Sequence, residues 1–141
     1  MDGEQNYKGY FMTAADQELE QRFLRLPNLQ HVGLALFQFV RSLHPNGTFV
    51  KKETDWVFEP NFVAFGFPKR GEKIRMHVDL DIPIDLDEKD RAVLQLFDGR
   101  WHYPVCEIKN ARELACAVRY IEGAFRKRLR KLGKAFDTLS I

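Results

Sequence analysis

The stretch NFVAFGFPKRGEKIRMHVDLDI, residues 61–82, decides the fold of this chain. Its second half alternates strictly, with apolar residues at the even positions 74–82 and polar residues at the odd positions 73–81. A period of two is typical of a strand with one buried face. The first half has no polar side chain from Phe62 to Phe67, which favours a central strand covered on both faces. Because residues 68–72, PKRGE, supply turn chemistry, the stretch predicts an antiparallel hairpin.

Two helices are predicted before this hairpin. The first covers residues 14–26, with Thr13 as its cap and Pro27 after its end. Asn28 is placed to cap the second helix, whose apolar residues follow the 3.6-residue period. The run His-Pro-Asn-Gly at 44–47 is a strong helix breaker, so we expect the second helix to end there.

The chain after the hairpin allows two interpretations. Asp85 is placed to cap a short helix through Leu94, whereas residues 93–97 also read as a strand that faces residues 101–108 across an Asp-Gly turn. We favour the strand for the second half only. Pro104 predicts that its strand lies at an edge of the sheet, because proline cannot donate a ladder hydrogen bond.

The last element is predicted to be an amphipathic helix. Asn110 and Glu113 have the spacing of a capping box, and apolar residues then recur at three- and four-residue steps as far as Leu132, with one step of seven. We expect the apolar stripe to cover one face of the sheet. Gly133 is placed to end the helix.

These elements add up to an α+β fold. Short β-like runs at 48–50 and 55–58 precede the hairpin. The prediction is two N-terminal helices, a mainly antiparallel sheet of four to six strands, and a long C-terminal amphipathic helix packed on the sheet. Residues 14–141 are expected to form one domain, and residues 1–13, which show no periodicity, a loose N-terminal arm.

Composition and charge are those of an ordinary globular protein. The 141 residues are 45% hydrophobic and 30% charged, with net charge +2. No run approaches a membrane span or a signal peptide, so a cytoplasmic location without membrane contact is expected. The charges are unevenly placed: residues 126–134 hold six basic residues and no acid, while residues 79–90 hold six acids and one lysine. A cationic end and an acidic patch are therefore expected.

Several short motifs carry a resemblance to a known family. They open the hairpin strands, flank the turn and precede the last helix: Asn61-Phe62, Pro68-Lys69, Lys73-Ile74, Gly99-Arg100-Trp101 and Glu113-Leu114. On these residues the run 34–128, about two thirds of the chain, resembles an uncharacterised bacterial and archaeal domain of unknown function often labelled a predicted transport protein. Members of that family occur fused to restriction-type or DNA-associated modules, so the resemblance implies a nucleic-acid context.

The basic residues suggest the most concrete function, which is noncatalytic binding of nucleic acid. Lysine and arginine neutralise phosphates and release counterions. A hairpin tip and a helix end together could contact two stretches of backbone. The candidate residues are Lys69, Arg70, Lys73, Arg126, Lys127, Arg130, Lys131 and Lys134.

Two alternatives remain open. A protein-interaction or self-associating module needs only the edge strand and the complementary charges. A magnesium-dependent nuclease would use Glu107 and Lys109 with Asp79 or Asp81 from another strand, and we rank it lower because such triplets arise often by chance. His77 is expected on an exposed strand face. The histidines and the two cysteines lack zinc-ligand spacing, so no metal or cofactor site is predicted, and both thiols are expected to be free and buried.

Overall fold

A computed structural model describes residues 5–7, 10–81, 87–99 and 103–139 of the chain, with side chains from 12–81, 87–99 and 103–133. Within these ranges four helices accompany seven strands, and a 3-10 turn at Ala111–Glu113 leads into the last helix. The elements are, in order, β1 (Gln5–Tyr7), β2 (Tyr10–Met12), α1 (Ala14–Leu24), α2 (Gln30–Leu43), β3 (Thr48–Lys52), β4 (Asp55–Glu59), β5 (Val63–Gly66), β6 (Ile74–Val78), α3 (Glu88–Val93), β7 (Val105–Ile108) and α4 (Leu114–Leu139). The predicted α+β fold is confirmed.

Strands β3 to β7 form one antiparallel sheet whose spatial order follows the sequence. The predicted hairpin is β5 and β6, paired from Val63 with Val78 to Gly66 with Arg75. β5 lies in the centre of the sheet and all four of its residues are buried, as its lack of polar side chains predicted. β7 lies at an edge directly after Pro104, which confirms the position predicted from that proline.

A layer of aromatic rings joins the helices to one face of the sheet. Phe65 of β5 lies opposite Met76 of β6, and residues paired in this way project to the same face. The ring of Phe23 in α1 lies 5.5 Å from Phe65 in an edge-on contact. Phe125 of α4 lies 5.4 Å from Phe62. Phenylalanines thus supply much of the core between the sheet and its helices: those at 23, 37, 49, 58, 62 and 65 are buried in it, and those at 39, 67 and 125 pack against it.

The N-terminus of α2 is capped by a residue from the hairpin turn instead of by its neighbour Asn28. The helix N-cap is Leu29, which provides no side-chain hydrogen bond. Glu72 Oε2 accepts from the backbone N–H groups of Asn28 and Leu29, both at 2.7 Å, and Glu72 Oε1 accepts from the Asn28 amide at 2.8 Å. The predicted cap was wrong because the carboxylate comes from a partner distant in sequence, and a negative charge at this position also favours the helix dipole.

We expect Glu72→Gln to lower the thermal midpoint and to weaken its dependence on acid pH. Desolvation alone would raise the pKa of Glu72, but the hydrogen bonds from Asn28 and Leu29 outweigh it and hold the pKa below its ordinary value. A carboxyl whose pKa is depressed by folding stabilises the protein above its unfolded-state pKa, and the contribution is lost as the pH falls through the folded-state pKa. Thermal melts of wild type and Glu72→Gln between neutral and acid pH should therefore converge at low pH.

The matched control is Glu18→Gln. Glu18 is 56% exposed and faces Lys51 at 3.6 Å, and an exposed pair of this kind contributes little to stability. Equal effects of the two substitutions at every pH would contradict the capping role of Glu72.

Two segments differ from the sequence prediction. Residues expected to form a loose arm contain the β1–β2 hairpin, and Met12 is buried against the core. In the second segment, the helix begins after Asp87, which accepts a hydrogen bond from the Lys89 N–H at 2.8 Å, while Asp85 lies outside the described residues. The strand favoured for residues 93–97 is reduced to a single bridge between Phe97 and Val105.

Helix α4 begins as predicted and ends later than predicted. Asn110 and Glu113 form the expected capping box at its start. Gly133 does not end the helix, which continues to Leu139. A glycine inside a helix costs only about 1 kcal/mol relative to alanine, so helix formers on both sides can carry the helix past it. Among the described ranges, none of the helices has the length and apolar character needed to cross a lipid bilayer.

Candidate functional site

The second half of α4 carries most of the basic residues of the helix. Among the side chains of α4 that the structure describes, which extend as far as Gly133, Ala124 is the last one that is buried. We call residues 126–139 the α4 end; at 1.5 Å per residue it is about 20 Å long. Its first six positions contain five cations, at 126, 127, 128, 130 and 131, and no acid. The basic run recognised in the sequence is therefore helical, with exposed cations at 126, 130 and 131 and partly buried ones at 127 and 128.

Lys127 is held by two carboxylates that follow strand β6. Its Nζ lies 2.7 Å from Asp79 Oδ1 and 2.8 Å from Asp81 Oδ1. Burial would lower the pKa of Lys127, but its hydrogen bonds to both carboxylates raise the pKa above its ordinary value. The hydrogen bond from Lys127 likewise lowers the pKa of Asp81. The cationic end and the acidic patch seen in the sequence thus contact each other, and Lys127 fixes the helix to the sheet.

Three further cations of the α4 end, Arg126, Arg130 and Lys131, are exposed, whereas Arg128 is partly buried and donates to the Asn61 carbonyl at 3.3 Å. Arg126 and Arg130 are four residues apart and share one face of the helix, and Lys131 adjoins Arg130. Arg126 is 68% exposed and pairs with Glu122 at 3.2 Å, while Lys131 is 61% exposed and lies 3.6 Å from Asp79. The exposed pair of Arg126 with Glu122 is weak, so Arg126 can exchange its carboxylate for a phosphate. The exposed side chain of Lys131 is also accessible to a phosphate. The side chain of Lys134 lies outside the described side chains.

The predicted cations of the hairpin tip do not join this cluster. Lys69 and Arg70 are exposed in the turn before β6, and Lys73 pairs with Glu107 at 3.5 Å. Strand β6 runs from this turn towards Asp79, where Lys127 is bound. A five-residue strand is about 17 Å long, so the hairpin tip and the α4 end lie at opposite ends of the sheet.

The residues considered for a nuclease are also not brought together. Glu107 lies opposite Arg75 on β6, and Asp79 follows Arg75 by four residues, which is about 13 Å along an extended chain. Asp79 and Asp81 are engaged by Lys127, which takes the position a cation would need. In the part of the chain that the structure describes, no group of three His, Cys, Asp or Glu side chains is arranged for a metal ion.

A cluster of three polar residues, two of them buried, was missed in the sequence. Asp55, Arg75 and His77 come together on the face of the sheet opposite the aromatic layer, where Arg75 Nη2 donates to Asp55 Oδ1 and His77 Nδ1 lies 3.5 Å from Asp55 Oδ2. His77 is 3% exposed, so the predicted exposed histidine was wrong. Alternation identifies which side chains leave the core face, but it does not show that other chain segments cover the second face. Asp55 lies on β4 and the other two residues lie on β6, so no local sequence pattern joins them.

The two thiols are free and buried, as predicted. Burial raises the pKa of the Cys106 thiol far above its ordinary value, so it stays protonated and unreactive. Cys116 Sγ donates to the Asp90 carbonyl at 3.2 Å and helps to join α4 to α3.

Comparison with known proteins finds no match. No family model, no curated protein and no solved structure matches this chain. Its functional assignment therefore rests on its own residues, and the family resemblance drawn from its motifs stays a prediction.

Proposed function

We propose that this chain is a noncatalytic binding module that contacts nucleic acid through the α4 end. The observation that carries the proposal is the α4 end, whose first six positions hold five cations and no acid and whose side chains from Arg126 to Gly133 are all unburied. A helix of this length fits the major groove of a duplex, and each cation placed near a phosphate releases condensed counterions. Contacts of this kind position a protein without reading sequence.

The ion pairs beside the helix distinguish a cation that holds the helix in place from cations that can bind phosphate. Lys127 is only 11% exposed and binds Asp79 and Asp81, so it orients the helix and is not available to a ligand. Arg126, Arg130 and Lys131 are the residues proposed to meet phosphate. Because three nearby carboxylates offset part of the positive charge, we expect moderate affinity with strong dependence on salt.

The test is fluorescence anisotropy with labelled single- and double-stranded DNA and RNA at about 50 and about 200 mM salt, a range over which multiple phosphate contacts lose orders of magnitude in affinity. The double variant Arg126→Gln/Arg130→Gln should weaken binding to every sequence tested. It should also reduce the slope of log K against log salt by about 2, one unit for each phosphate contact removed.

The matched control is Lys69→Gln/Arg70→Gln, which removes the same charge at the opposite end of the sheet. It should bind as wild type does. Equal weakening by both variants would mean that net charge alone drives binding, and absence of binding at the lower salt would overturn the nucleic-acid proposal.

A protein-interaction module is the second candidate, favoured by two exposed apolar side chains near the sheet edge. Val93 and Phe97 are each 52% exposed, and Phe97 bridges to Val105 of edge strand β7. Exposed apolar residues beside an edge strand offer packing surface to another chain. If the wild-type chain sediments as a dimer and Phe97→Asp as a monomer, while nucleic acid does not bind, this candidate replaces the first.

A further inference from the structure

The face of the sheet opposite the aromatic layer contains a cleft of about 460 Å³. Its lining includes Thr54, Asp55, Arg75 and His77 from the sheet side, with Asp98 and Gly99 from the loop that follows Phe97. The volume lies in the range of small-molecule sites, which is about 300–1,000 Å³. This cleft is separate from the α4 end and plays no part in the function proposed above.

Two glycines shape the cleft around its charged residues. A Cβ atom at Gly66 would lie 2.4 Å from both Arg75 Nη2 and Asp55 Oδ1, so a side chain there would separate the pair. A Cβ atom at Gly99 would lie 2.3 Å from the Tyr103 carbonyl oxygen and 2.9 Å from His77 Cδ2. Glycine inside a strand often marks a close approach of other groups, and here it lets the ion pair form directly over the strand.

The cluster of Asp55, Arg75 and His77 costs desolvation energy on folding. Asp55 is 2% exposed and His77 is 3% exposed, and neither is part of the aromatic core. Burying charge requires desolvation, and well-packed apolar residues often serve stability as well or better. Polar groups that are buried beside an open cleft are therefore better explained by a ligand than by folding.

The arrangement of donors and acceptors identifies the kind of ligand. Arg75 uses Nη2 for Asp55, and its side chain remains 27% exposed, so further guanidinium donors are available from the cleft. Asp98 is exposed and, among the described residues, contacts no cation. A metal ion is disfavoured because Arg75 already supplies the positive charge. The cleft thus presents a carboxylate-binding cation and an ammonium-binding anion to the same volume.

We propose that this cleft binds an α-amino acid, with the ligand carboxylate on Arg75 and the ligand ammonium group on Asp98. The carboxylate suits the planar guanidinium, which binds such groups through paired hydrogen bonds. Asp55 orients Arg75 from below, and Thr54, which donates to Asp55 at 3.2 Å, orients that carboxylate in turn. Val105 provides an apolar wall for the side chain of the ligand.

The experiment is a thermal-shift screen of the whole chain with each standard L-amino acid at millimolar concentration, followed by calorimetry on any that binds. At least one amino acid should raise the thermal midpoint by about 2–5 °C, the shift expected for a ligand well above its Kd. Acetate and methylammonium, which each carry one of the two groups, should not. If no amino acid raises the midpoint, or if acetate does so equally, the proposal is wrong.

Three variants locate the site. Asp98→Asn should leave the thermal midpoint of the free protein unchanged. It should weaken the affinity for the amino acid on the order of tenfold or more, because a charge-assisted hydrogen bond is lost. Arg75→Gln should abolish binding. Lys52→Gln, an exposed cation in the strand position opposite Asp55, should bind as wild type does. If Arg75→Gln does not fold, Asp98→Asn alone tests the site. Unchanged affinity of the Asp98→Asn variant for the amino acid would refute the proposed site.

Discussion

Replacement of Arg41 by Met should lower the free energy of unfolding by about 3–5 kcal/mol, because it leaves a carboxylate buried without its cation. The side chains of Arg41 and Asp16 are both fully buried, with Nη1 and Oδ2 3.5 Å apart. Arg41 Nη1 also donates to the Gly47 carbonyl, so it joins the end of α2 to the turn before β3. Against a total stability of about 5–15 kcal/mol for a native protein, this is a severe loss. Urea titration followed by circular dichroism measures it.

The double variant Asp16→Asn/Arg41→Met separates the charge effect from the loss of contacts. Asp16 accepts hydrogen bonds from the backbone N–H groups of Phe49 at 2.7 Å and Thr13 at 2.9 Å, which asparagine can keep only in part. We expect the double variant to be more stable than Arg41→Met alone, because no buried charge is left unpaired. A double variant that loses the sum of the two single effects would contradict this account of the pair.

Phe65→Ala should cost about 3–5 kcal/mol, since it empties the centre of the aromatic layer. Phe65 is fully buried on the central strand, and its ring lies 5.5 Å from Phe23 and 5.9 Å from Phe49. Its removal loses contacts with α1 and β3 at once, and a central strand cannot move to fill the space. The same urea titration gives the free energy.

The matched control makes the same substitution at a half-exposed ring. Phe97 is 52% exposed, so Phe97→Ala gives up about half of the burial energy of such a side chain, or about 1 kcal/mol. Losses of similar size at the two positions would mean that the layer does not form the core of this fold.

The hairpin and the helices could be predicted because their signals are local. Alternation from Ile74 to Val78 fixed the face that packs on the helices, and the Asn110 capping box marked the start of the last helix. Elements that depend on distant partners could not be predicted in this way. Glu72 caps the N-terminus of α2, which lies more than 40 residues before it in the sequence, and a local sequence pattern cannot predict such a cap.

The charged residues show the same limit more strongly. The basic run and the acidic patch were visible, but their contact through Lys127 and Asp79 depends on how α4 crosses β6. His77 was expected on an exposed face of β6, but its side chain is buried. Alternation shows only that a side chain points away from the core. The cleft around Arg75 could not be predicted from it, because the cleft depends on where β4 and the loop at Asp98 lie in the fold. Sequence identified the candidate cations, and only the fold separated the hairpin tip from the α4 end.

The most direct test of the proposed function is an NMR titration of the isotope-labelled chain with a short DNA duplex at low salt. The proposal predicts that amide signals of residues 126–133 shift together and saturably, while those of residues 68–73 do not move. Arg126→Gln/Arg130→Gln should suppress these shifts. Shifts centred on the hairpin tip, or none at all with a duplex in excess, would contradict nucleic-acid binding by the α4 end.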